Sequence, residues 1–248
     1  MKPSTGRNRV VIEEITPQID AGRHPVCRVV GDEVVVTAAI FGDGHDRLSA
    51  HLLYRRSNER RWRFTPMTAV NNDIWTGSFK ADKQGSWLYT VSAWVDHFVT
   101  WESELRKRLG AQDPAAAATV EPDPTPEPTT SGGWTVSTVT GEQDIPLALR
   151  TGAILLKQGS ERASGADAKR LLEASRSLLA QAEQNLPFYD YPLDSAIVDL
   201  MARHPDQQFA TRYEPELPLW VDRERARFSA WYELFPRSAS DVPGKHGT

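Results

Sequence analysis

The chain has 248 residues, a formal charge of -4, six histidines and one cysteine. That length can bury a real core as one large domain or two small ones, and the negative charge argues against a nucleic-acid binder, since the sequence shows no basic stripe of the kind that phosphates require. One cysteine, Cys27, excludes an intrachain disulfide and suits a reducing compartment.

Met1 to Arg9 carries positive charges with no apolar run behind them, and no stretch approaches the roughly 18 apolar residues that span a bilayer. The expectation is a cytoplasmic protein with neither nucleic acid nor membrane as a partner. From Val10 to Phe98 the pattern has period two between turn residues, which predicts strands at Val10 to Ile15, Glu33 to Phe41, Ala50 to Arg56, Arg61 to Thr65, Ile74 to Phe79 and Trp87 to Val95. In the last of these Trp87, Tyr89, Val91, Ala93 and Val95 share one face, and Leu88, Thr90, Ser92 and Trp94 share the other. Turns at Asp43-Gly44, Asn71-Asn72-Asp73 and Lys83-Gln84-Gly85 complete the signature of an immunoglobulin-like or fibronectin-III-like β-sandwich. Cys27, among Val26, Val29 and Val30, reads as a small buried thiol. Arg55, Arg56, Arg60, Arg61 and Arg63 surround a predicted hairpin turn and read as a solvated rim.

After Thr100 the period changes to that of helices, at Trp101 to Leu109, Asp144 to Gln158 and Ala166 to Leu186. Leu171, Leu172, Ser175, Leu178, Leu179, Ala182 and Leu186 form a stripe on the third, long enough that part of it is expected to meet a partner helix. Pro187 ends that helix, and Asp194 caps another over Ser195 to Arg203. From Phe209 to Leu219 the chain extends again, and Trp220 to Phe235 has strand character. The fold class expected is therefore mixed, mainly β: a sandwich over 1–100 completed by 207–222, with a helical insert over 101–206. Pro114 to Thr130 has proline at alternate positions, which predicts a linker at 111–140.

Little here points to chemistry. His24, His45, His51, His97, His204 and His246 show no metal-ligand spacing. His45-Asp46 and Asp96-His97 are weak acid/base candidates, because adjacent strand residues face opposite ways. Gly42-Asp43-Gly44 reads as a hairpin turn, since Arg47 stands where a dinucleotide fingerprint needs its third glycine. Glu13, Glu14, Asp190 and Asp194 read as solvated-face, turn and cap residues. The tryptophans are the ambiguous set, since any aromatic face could stack on a sugar ring. Trp75 and Trp87 read as core, Trp62 lies near the arginines, and Trp94 and Trp101 stay open between core, subunit interface and glucan contact.

Several segments resemble one family. Gly22-Arg23-His24-Pro25-Val26, Val29 to Val34, Phe41 to Asp46, Phe64-Thr65-Pro66-Met67, Ala93-Trp94-Val95-Asp96 and Val221 to Ser238 are similar, in order, to the N-terminal domain of maltose-1-phosphate maltosyltransferases. These are the GlgE type of glycoside hydrolase family 13. The likeness covers 9–110 and 141–248 and departs from the family between Ala111 and Thr140. It implies that 223–248 begins a (β/α)8 barrel, cut short inside a larger protein. The complete enzyme would transfer maltosyl units from α-maltose 1-phosphate to the non-reducing ends of α-1,4-glucans, with retention and phosphate release, on a cytosolic route from trehalose to glycogen-like glucan and with no cofactor.

The resemblance further implies that this part serves homodimerisation, through the helical insert, and shapes the active-site approach. Donor and glucan would bind the missing barrel. A retaining transfer needs two carboxylates about 5 to 5.5 Å apart, and no strand-end pair suggests itself here. No catalytic, substrate-binding, cofactor or metal residue is therefore expected in this chain, which alone should be inactive. The alternatives are a stand-alone carbohydrate-binding module, or the N-terminal part of another family 13 branching or debranching enzyme.

Overall fold

The computed structural model describes residues 8–110, 144–184 and 193–228, with 233, 235, 240 and 242–245 beyond them. The linker expected at 111–140, Asp190, and most of the barrel strand expected within 223–248 lie outside the described residues.

Among the described residues ten strands form two sheets: β1 (Val10–Thr16), β2 (Val26–Val29), β3 (Glu33–Gly42), β4 (Leu48–Arg56), β5 (Arg63–Pro66), β6 (Thr68–Asn71), β7 (Ile74–Lys80), β8 (Gly85–Val95), β9 (Thr211–Arg212) and β10 (Leu217–Asp222). The smaller sheet has the order β1-β3-β7-β6, and the larger β2-β10-β8-β4-β5, with β9 also on β8. Pairing is antiparallel except between β10 and β2, where Leu219 to Asp222 run parallel to Val26 to Val29.

Alternation drives each strand to one side. On β3, Val34, Val36, Ala38 and Ile40 point inward, and on β8 Trp87, Tyr89, Val91 and Ala93 face them with no exposed surface. One apolar core thus lies between the two sheets, with Leu217, Leu219 and Val221 of β10 in it. β1 breaks the alternation at a register shift between Glu13 and Thr16, where Glu14 takes φ 50. The extra residue of this bulge turns Glu14 outward and sends Ile15 into the core.

The helices are α1 (His97–Gly110), α2 (Asp144–Arg162), α3 (Gly165–Gln184) and α4 (Ser195–Arg203). α1 starts four residues before the sequence pattern suggests, because Asp96 accepts the Val99 N–H at 3.1 Å and caps it. α2 and α3 form a helical hairpin through 163–164, and a second core joins all four helices. Close approach depends on two glycines. A Cβ at Gly152 would stand 2.0 Å from Trp101 Cζ2, and one at Gly159 2.3 Å from Met201 Sδ.

The structure corrects several expectations. Gly42-Asp43-Gly44 is not a hairpin turn: β3 and β4 belong to different sheets, so this loop crosses between them. Turn chemistry reports a reversal but not which sheet the next strand joins. Cys27 is exposed, because alternation along β2 sends Val26 inward and its neighbour out. Of the strand character expected from Trp220 to Phe235, β10 ends at Asp222 and a 3-10 turn over Glu224–Arg227 follows, while 229–232 and 234 lie outside the described residues. The stripe on α3 is divided: Leu171, Ser175, Leu178 and Ala182 are buried inside the helical unit, so Leu171 and Leu178 front no partner, whereas Leu179 is exposed.

Candidate functional site

The outer face of the larger sheet meets the helical unit around Trp94. Trp94 projects from β8 beside Ser49 of β4, away from the core between the sheets, and is 3 % exposed. Its ring meets His51 edge to face at 4.8 Å, and His51 in turn stacks on Phe64 at 4.5 Å. Gln207 Nε2 lies 3.3 Å from His51 Nδ1, closing the group from the 206–210 segment. Burial holds the His51 pKa below its ordinary value, which favours the neutral ring.

A cavity of about 100 Å³ opens at this junction, lined by Arg9, Trp94, Val95, His97, Asp206 and Phe209. Arg9 is fixed there by three bonds: Nε donates to Asp43 Oδ1 at 2.8 Å, Nη1 to Asp46 Oδ2 at 2.7 Å, and Nη2 to the Asp43 carbonyl at 2.8 Å. The same bonds pin the loop that crosses between the sheets. Asp206 accepts from the Gln208 N–H at 3.1 Å and lies 3.9 Å from Arg162. The Trp94 indole N–H has no hydrogen-bond acceptor among the described residues. A buried donor left so costs about 1 to 3 kcal/mol, which makes the site unusual for a packed junction.

Beside it a wider cleft of about 500 Å³ runs between α1 and α2, with Trp101, Leu105 and Ala148 along it and Glu104 and Arg108 at its rim. Trp101 is 6 % exposed and donates Nε1–H to the Ala148 carbonyl at 2.7 Å, so it is a core residue of the helical unit. Trp87 is fully buried, and Trp75 packs half-buried against the core between the sheets. Trp62 carries the guanidinium groups of Arg55 and Arg212 over its ring, 4.6 and 4.4 Å from its centre. The ring is therefore already engaged by two cations. Arg55 and Arg212 each also bond Glu216, and Arg63 lies over Trp87, so these arginines are engaged rather than a plain solvated rim.

The remaining candidates separate. His45 and His97 are exposed, with Asp46 bonded to Arg9 and Asp96 occupied as a cap. Asp194 caps α4 through the Ala196 N–H at 2.8 Å, and that bond holds its carboxyl below the usual carboxylate range. Asp167 is held low chiefly by its contact with His204, whose Nε2 lies 3.0 Å away. Glu13 and Glu14 face outward. No group of three or more metal-ligating side chains occurs among the described residues. Sequence reasoning missed Arg9, Asp206 and Phe209: pairing of β9 with β8 carries the 206–210 segment to Trp94, whereas Arg9 reaches the cavity from just before β1, held by Asp43 and Asp46.

The family described as alpha-1,4-glucan:maltose-1-phosphate maltosyltransferase, domain N/S, matches residues 8–223. The chain belongs to this family. The match runs through both sheets and the helical unit. Among curated proteins, the chain is 40% identical over its whole length to the alpha-1,4-glucan:maltose-1-phosphate maltosyltransferase of Chlorobaculum tepidum. Proteins of the same name from Myxococcus xanthus and Methylacidiphilum infernorum are 36% and 32% identical over 96% and 99% of the chain. In each case the chain spans 32% of the relative's length, about a third. No described helix is long and apolar enough to cross a membrane.

Proposed function

We propose that this chain is the N-terminal part of a maltosyltransferase that moves maltosyl units from α-maltose 1-phosphate to the non-reducing ends of α-1,4-glucans, retaining configuration and releasing phosphate. The observation that carries this reading is the single family match across 8–223, in a chain one third as long as its relatives. The paired sheets are the immunoglobulin-like sandwich, 1–100 with 207–222. The helical insert is 101–206, and 223–248 leads into a catalytic barrel. The protein works in the cytoplasm, on a route from trehalose to glycogen, and uses no cofactor.

In this reading the chain's own work is structural: it pairs two copies through the helical insert and shapes the approach to the active site. Support for the pairing is the exposed apolar face of α2, where Leu147 and Ile154 stand two turns apart and are 60% and 58% exposed. Chemistry between two positioned carboxylates belongs to the barrel. Purified 1–248, given α-maltose 1-phosphate and maltohexaose, should release no phosphate, whereas a longer polypeptide carrying this chain and the barrel should. Turnover by 1–248 that vanishes on substituting one Asp or Glu would place the active site here and overturn the reading.

A further inference from the structure

His51 of β4 is a titratable ring set into an apolar junction. It is 7 % exposed, stacks on Phe64 of β5 and meets the Trp94 ring of β8 edge to face. Its hydrogen-bond partner among the described residues is Gln207, whose Nε2 stands 3.3 Å from Nδ1, so the neutral ring accepts there. Gln207 opens the turn that brings the chain from α4 back to the sheet. Its carbonyl accepts from the Ala210 N–H at 3.1 Å, and β9 then pairs with Ser92 and Ala93 of β8. The charged groups on the elements around the ring have other partners. Arg55 of β4 and Arg212 of β9 both bond Glu216, and Arg63 of β5 turns inward over Tyr54 and Trp87. Asp96, before α1, accepts from Ser49 Oγ and the Val99 N–H, Asp206 accepts from the Gln208 N–H, and Arg9 is held by Asp43 and Asp46.

A proton taken from solvent onto Nδ1 would turn that acceptor into a donor facing an amide donor, and would bury a charge without a counter-ion. Turning the Gln207 amide over supplies an acceptor but no charge. We propose that His51 is a proton-operated latch: while neutral it holds the 206–210 segment on the larger sheet, and on gaining a proton it lets that segment go. Burial lowers the ring's pKa from 6.5, so the released form takes up the proton first. Attachment is therefore full above 6.5 and weakens as pH falls below it. His204, at the α4 end of the same path, faces Asp167 at 3.0 Å, so a proton there tightens the helical unit instead.

The test is amide hydrogen exchange in the 248-residue chain, corrected for the intrinsic rate at each pH. The N–H groups of Ala210 and Tyr213 bond the carbonyls of Gln207 and Val91. Their protection should fall about tenfold from about pH 7.5 to about pH 5.5, while Val36 in the middle of β3 keeps its own. His51→Phe retains a ring to pack on Phe64 and Trp94 and should abolish the loss. Gln207→Glu sets a carboxylate against Nδ1, so it should also abolish the loss and raise the pKa of the His51 imidazole read by NMR. His204→Gln should leave the loss intact. Equal protection of Ala210 and Tyr213 at both pH values in the wild type overturns the proposal, and so does the same loss in His51→Phe. Where His51→Phe does not fold, an undiminished loss in Gln207→Glu overturns it instead.

Discussion

At Gly152 an added methyl has nowhere to go, because the Trp101 ring fills the notch from which a Cβ would project. Gly152→Ala must push α1 off α2 or force the indole from its rotamer, and should destabilise the chain by about 1 to 3 kcal/mol in urea unfolding. Tyr89 offers a test by pH. It is buried on β8 with its hydroxyl donating to the Pro17 carbonyl, and burial pushes its pKa from 10.0 up to about 12. In the unfolded chain the phenol ionises first, so the folded state binds more protons between these values and stability falls as pH rises through them. Tyr89→Phe should flatten that decline in thermal scans between pH 10 and about 12; an identical slope in both proteins would show that Tyr89 does not contribute.

Among elements, what the sequence shows best is what depends on neighbours a few residues away. The two faces of β8 and the Asp194 cap of α4 follow from spacing alone, and both stand as read. β2, β6 and β9 are short edge or partial strands with too few residues to establish a period. The site around Trp94 was illegible for a related reason: its tryptophan is visible, but Arg9 and Asp206 reach it from opposite ends of the chain. The α3 stripe shows how periodicity overstates burial, since a stripe wider than the facing helix leaves one margin bare. Leu171→Ala should therefore cost about 2 to 5 kcal/mol, whereas Leu179→Ala should change stability by about 0.5 kcal/mol or less. Equal costs in chemical denaturation would contradict the division seen across that helix.

For the whole molecule, the proposed pairing of copies now falls on α2. Replacing Leu147 and Ile154 together with Asp should convert a sedimenting dimer to a monomer while leaving the thermal midpoint nearly unchanged, as both side chains are exposed. A wild-type protein that sediments as a monomer at micromolar concentration would remove the proposal.

The parallel pair of β10 and β2 also sets an order in time. Among the described residues β2 has only β10 as a sheet neighbour, and β10 sits between it and β8. On a ribosome, the strands through Val95 emerge with the larger sheet open along β8 and wait for roughly 120 more residues before β10 appears. At usual synthesis speeds that is on the order of ten seconds with an unpaired edge and an apolar face in water. The helical unit is made during this interval, so nascent chains should depend on chaperone shielding until Asp222 clears the exit tunnel. Chains halted before Leu217 should aggregate, while those released after Asp222 should stay in solution.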